Sequence, residues 1–226
     1  MKIKSKILLE GRYDSLTRQI VNDVMYYVKE SEGELDEPFT IELPEDGKKY
    51  HHEYSGIKFI LDLGIQRTDE YIEYNGREIP YYIKTYIAED NYLVIQISIN
   101  ERYGREYYQE IYYKLNEDIR HEIEHYLQDM ALKNKRFKDR QQPLISGTAN
   151  YDTVYQHHKD PSEVEALVNG FYRKAKIERL PLDVIMHRDL DMDINDGNLT
   201  HEEAEDLFDL WIKYARRRLP DAIYSK

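Results

Sequence analysis

Three side chains within five residues, His121, Glu122 and His125, have the types and spacing to build a hydrolytic metal centre. Imidazoles four positions apart on a helix lie on one side of it, a turn from each other, and can close on a single cation. A carboxylate one position after the first imidazole is turned too far round to be a ligand in the same plane, yet it can touch a water on the metal. Neutral imidazoles suit a borderline cation such as zinc, and Glu122 stands where a general base is needed. Zinc lowers the pKa of its water towards about 7, so a carboxylate can handle that proton near neutral pH.

The chemistry needs a helix, and the flanking residues supply one. Tyr108, Ile111, Tyr112, Leu115, Ile119, Ile123, Tyr126, Leu127 and Met130 recur at three-and-four spacing, with neither Pro nor Gly between them, which predicts a helix over 107–130 with one buried face. A blander reading of the two His is a solvated helix edge. On the His-Glu-x-x-His residues 121–125 the chain resembles the zincin metallopeptidases. That resemblance implies His121 and His125 as zinc ligands and Glu122 as the residue that activates water.

Catalytic zinc normally takes three protein ligands, so a third is expected downstream. Asp160, Pro161 and the apolar positions Val164, Leu167, Val168, Phe171 and Ala175 predict a second amphipathic helix with a cap residue and Pro in its first turn. Within it, Glu163-Val164-Glu165-Ala166-Leu167 resembles the Glu-x-x-Ala pattern with which gluzincins complete their site. Matching Ala166 makes Glu163 the implied ligand; Leu167 stands where many members carry Asp, and Glu165 is the alternative. Glu163 is also three residues after Asp160, the spacing of a capping box. His157 and His158 compete as ligands or as donors to a reacting carbonyl. Tyr151, Tyr155 and Tyr172 join these two His as unranked candidates for stabilising an oxyanion.

The elements before the motif must hold that helix in place. Leu16, Ile20, Val24 and Val28, with Asp14 or Ser15 as cap, predict a first helix over 14–28. Strand signals follow at 39–43, 57–63, 71–74, 79–88 and 92–100, with Asn75-Gly76 and Asp90-Asn91 as hairpin turns, so a mostly antiparallel sheet is expected. The stretch 92–100 reads equally as a core strand or an edge strand. The expectation is an α+β fold, zincin-like by resemblance, in which an antiparallel or mixed sheet precedes the motif helix and a second ligand-bearing helix. Residues 1–180 form the proposed catalytic domain and 181–226 a helical extension. The basic run 133–143 reads as a helix end and loop, and 143–159 as a long loop able to cover the site.

Composition narrows the possibilities. At 27.3 kDa and 226 residues, the chain is long enough for a substantial core. Acidic side chains outnumber basic ones 44 to 32, which argues against nucleic acid or an anionic membrane as partner. With no Cys, any zinc site must be built from His and carboxylates. The basic, briefly apolar start is too short for a signal peptide and no spanning segment follows, so an intracellular location, or one in a particle assembled there, is expected.

Two features suggest other roles. Tyr is abundant, 22 residues against 5 Phe and 1 Trp, as a contact surface would favour, and 6–14 resembles the beginnings of proteins from large tailed phages. Together these suggest a structural or assembly protein, such as a virion component, as the alternative to a peptidase acting on peptide or protein substrates. The acidic stretch 191–203 approximates a calcium loop with Gly197 and Glu203 each one place late. Its competing reading is an acidic turn before a helix capped by Thr200 and Glu203.

Overall fold

The computed structural model describes residues 2–31, 40–42, 48–52, 57–74, 76–88, 92–133 and 153–225. The chain is mixed α and β, with two compact units, 1–122 and 123–226. Their boundary falls inside one continuous helix, α2 (Tyr108–Lys133).

The first unit opens with α1 (Lys2–Glu30), longer at its start than the expected 14–28. Asp14 and Ser15 therefore lie inside the helix. Lys, Leu and Glu before them are good helix formers, and Gly11 alone does not stop the run. Leu16, Ile20, Val21, Val24, Met25 and Val28 are its buried face.

β3 (Ile57–Thr68) runs past Gly64, where a strand end was expected. Its alternation is strict: Ile57, Phe59, Leu61, Leu63, Ile65 and Arg67 are buried, while Lys58, Asp62 and Gln66 are exposed. β1 (Thr40–Glu42) pairs with its far end and β2 (Lys48–His52) with its near end, both antiparallel.

β7 (Tyr92–Asn100) lies between β3 and β6 (Tyr81–Ile87), parallel to the first and antiparallel to the second. It is thus a central strand, which explains its consecutive buried Leu93, Val94 and Ile95. The sheet is mixed: three of its four strand pairings are antiparallel, in line with the expectation, and the pairing of β3 with β7 is parallel. The parallel pair arises because β7 lies between β3 and β6 in the sheet, while β4 (Ile72–Tyr74) and β5 (Arg77–Ile79) form a separate hairpin in the connection from β3 to β6. The expected single strand 79–88 is divided at Pro80, which has no N–H for a ladder. Gly76 has the positive φ, 74°, that the hairpin turn requires. Asn75 and the Asp90-Asn91 turn lie outside the described residues.

Arg67 is the inward-facing exception on β3. It donates through Nε to Ser31 Oγ at 2.8 Å, through Nη1 to Glu101 at 2.6 Å, and through Nη2 to the Val28 carbonyl at 2.5 Å and Tyr108 Oη at 2.9 Å. One guanidinium thereby ties the end of α1 and the strand to a 3-10 helix (Glu101–Tyr107) and to the first residue of α2.

The second unit contains the end of α2 and α3 (Val154–Lys159), α4 (Pro161–Glu178), α5 (Leu182–Asn195) and α6 (His201–Arg218). Asp160 caps α4 by accepting from the Ser162 N–H at 2.8 Å, with Pro161 in the first turn as expected. Val164, Val168 and Phe171 of α4, Ile185 and Met186 of α5, and Leu207, Trp211 and Ala215 of α6 share one core. Thr200 and Glu203 form the expected capping box on α6. No described helix is long and apolar enough to cross a membrane.

The acidic stretch 191–203 does not form a calcium loop of the expected kind. Asp191, Asp193 and Asn195 all lie in α5, where a two-residue step turns the side chain by about 200° and prevents the three from converging. Asp193 accepts from Asn198 Nδ2 at 3.0 Å, and its carbonyl receives the N–H groups of Asn198 and Leu199. Gly197, at φ 75°, makes the turn.

Candidate metal centre

A continuous helix presents His121 and His125 one turn apart, as their spacing predicts. Glu163, in the first turn of α4, is the residue that joins them. One ligand atom from each of the three lies within 4.8 Å of the others, and among the described residues this is the group of His, Asp and Glu able to hold a metal ion.

The finer distances suit a small cation. His125 Nε2 is 3.3 Å from Glu163 Oε2, and both side chains are only 9 % exposed. Two donors at tetrahedral positions on zinc, each bonded at about 2.0–2.1 Å, stand roughly 3.4 Å apart. A set of two imidazoles and one carboxylate also matches the ligand chemistry of zinc, and it leaves a coordination position open.

The neighbouring residues divide between the centre and the core. His157, on α3, brings Nε2 to 3.4 Å from the same Glu163 oxygen, with its side chain 42 % exposed. His158 turns the other way: its ring meets Trp211 with centroids 5.7 Å apart, its Nδ1 is 3.8 Å from Asp193 Oδ2, and burial pushes its pKa down. Tyr155 donates to Asp206 at 2.5 Å and accepts from Lys159 at 2.8 Å in an exposed cluster. Tyr172 has the Lys176 ammonium 4.0 Å from its ring centroid. Tyr151 lies outside the described residues. Glu122 is half-buried on α2, directly after His121.

Glu165, the alternative ligand, is engaged elsewhere. Its Oε1 accepts from Tyr214 Oη at 2.7 Å, and its Oε2 is 3.5 Å from Gln128 Nε2. Burial, and then this bond to a carboxylate, push the Tyr214 hydroxyl pKa well up, so it remains a donor. Gln128 Nε2 also donates to the Ser162 carbonyl at 3.0 Å, and Gln128 Oε1 is 3.1 Å from His125 Nδ1. Sequence reasoning passed over both residues. Gln128 follows His125 by three on the same helix, a spacing that could have flagged it; nothing local marks Tyr214.

These features define a mixed α and β protein with a candidate two-His, one-carboxylate metal centre. No family model matches the chain, and neither the curated proteins nor the solved structures contain a significant match to it.

Proposed function

We propose that the protein is a zinc-dependent metallopeptidase of gluzincin type, with His121, His125 and Glu163 as metal ligands and Glu122 as general base. The observation that carries this reading is the convergence of Glu163 on the two helical imidazoles. A zincin-like fold is part of the same proposal, supported by the order of elements: a mixed sheet, the motif helix, then the helix bearing Glu163. Zinc in this donor set would supply a Lewis acid and a water acidic enough to titrate near pH 7. Glu122 takes the proton of the attacking water and delivers it to the leaving amine. His157 is the nearest candidate for a donor to the carbonyl oxygen as negative charge develops there, since Tyr155 and His158 are committed to other partners.

The test is hydrolysis of a fluorescent casein by zinc-loaded protein, with Glu122→Gln as control. Native turnover that Glu122→Gln reduces at least 100-fold, while it still binds zinc, supports the proposal. Zinc uptake without turnover favours a second reading, a structural or assembly role on a zincin-like scaffold. The observation behind that second reading is the set of exposed tyrosines in the first unit, among them Tyr71, Tyr74, Tyr82 and Tyr86. Two of these rings, Tyr74 and Tyr82, already touch, with centroids 5.6 Å apart.

A further inference from the structure

We infer that Gln128 is a positioning residue for the metal centre: anchored by Ser162, Glu165 and Tyr214, it fixes the tautomer of His125 and so sets the affinity of the site for zinc. The inference rests on the metal-binding reading above. Its starting point is which way the Gln128 amide faces. The Ser162 carbonyl and the Glu165 carboxylate are acceptors only, and both lie beside Gln128 Nε2, at 3.0 and 3.5 Å. The reversed amide would set oxygen against oxygen at both contacts.

Gln128 Oε1 must therefore be the atom 3.1 Å from His125 Nδ1. An acceptor there requires Nδ1 to carry the hydrogen. In the neutral imidazole Nε2 is then left with its lone pair, pointed at the position 3.3 Å from Glu163 Oε2. In the neutral ring this lone pair faces a carboxylate oxygen, a contact relieved either by a proton on Nε2 or by a metal cation that displaces that proton, so Nε2 is the ring atom offered to the metal.

Tyr214 completes the chain from α6. Its hydroxyl donates to Glu165 Oε1 at 2.7 Å and orients that carboxylate so that Oε2 faces the Gln128 amide. Without Gln128, His125 would divide between two tautomers, one of which places an N–H where the metal must bind. Outer partners of metal-ligating His typically change affinity by about 10–100-fold.

The experiment uses the full chain. Long-range 1H–15N spectra of metal-free protein report the His125 tautomer, and competition with a chromophoric chelator reports zinc affinity. The expected results are an Nδ1–H tautomer in native protein and, in Gln128→Leu, a mixture with zinc bound about 10–100-fold more weakly. Tyr214→Phe keeps the ring and its packing, and a smaller loss in the same direction is expected from it; should Gln128→Leu fail to fold, this variant carries the test. An Nε2–H tautomer in native protein overturns the inference. So does native zinc affinity in Gln128→Leu or, where only Tyr214→Phe folds, in that variant. Native protein that takes up no zinc overturns the metal reading instead, and the tautomer signal, read without metal, keeps the two failures apart.

Discussion

Replacing Arg67 with Met should unfold the first unit's architecture more readily than any surface change. Met keeps the apolar stem but removes four donated hydrogen bonds, and the side chain it replaces is only 2 % exposed. The four acceptors do not suffer equally. Glu101, with a side chain 38 % exposed, regains water, so its share falls in the range of about 0–1 kcal/mol for exposed pairs. The Val28 carbonyl and the Ser31 hydroxyl, buried at the end of α1, keep their mutual hydrogen bond of 2.8 Å, but each loses a bond from a charged donor, worth about 1.5–3 kcal/mol. Relief from burying a guanidinium offsets part of this, leaving a net loss of about 3–4 kcal/mol. With a urea slope of about 1–3 kcal/mol per molar, the first unit's midpoint should fall by roughly 2 M. Arg67→Lys should recover less than half of the loss, because an ammonium cannot span acceptors on three elements. The assay is urea denaturation followed by tyrosine fluorescence and far-UV circular dichroism. A loss below about 1 kcal/mol for Arg67→Met would refute the claim that this side chain holds the elements together.

Two further predictions concern the second unit. Burial holds the His158 pKa below its usual 6.5, against the upward pull of Asp193, so the unfolded chain takes up this proton at a pH where the folded protein still refuses it. Stability should therefore decline as pH falls below 6.5 and level off beneath the folded pKa; His158→Gln should flatten that part of the profile of urea midpoint against pH, and an unchanged slope would refute the assignment. Trp211→Ala removes a fully buried ring that packs on Phe171 with centroids 5.2 Å apart, and should cost about 3–5 kcal/mol by thermal or urea denaturation; a loss under about 1 kcal/mol would mean the core lies elsewhere.

The candidate site was legible to the extent that it is local. His121, Glu122 and His125 declare themselves because a helix converts a spacing of four into a shared face. Glu163 emerged from a resemblance and from a well-marked second helix, while its distance from the two His is a tertiary fact that periodicity does not encode. Glu165, two positions on, was the alternative; Tyr214, 49 positions further along, separates the two by engaging Glu165. The fold divides the same way. The strands 57–63 and 92–100 were visible as apolar runs, but alternation is identical in parallel and antiparallel pairs, so the parallel union of β3 with β7 was not. Gly64 looked like punctuation, and β3 passes through it to bring Arg67 inward.

The central claim is that His121, His125 and Glu163 hold one zinc ion. Elemental analysis of native protein, beside His121→Ala and Glu163→Ala, tests it most directly. The account predicts about one zinc per native chain and its loss in both variants. Native protein without zinc even after supplementation, or Glu163→Ala that retains it, would contradict the account.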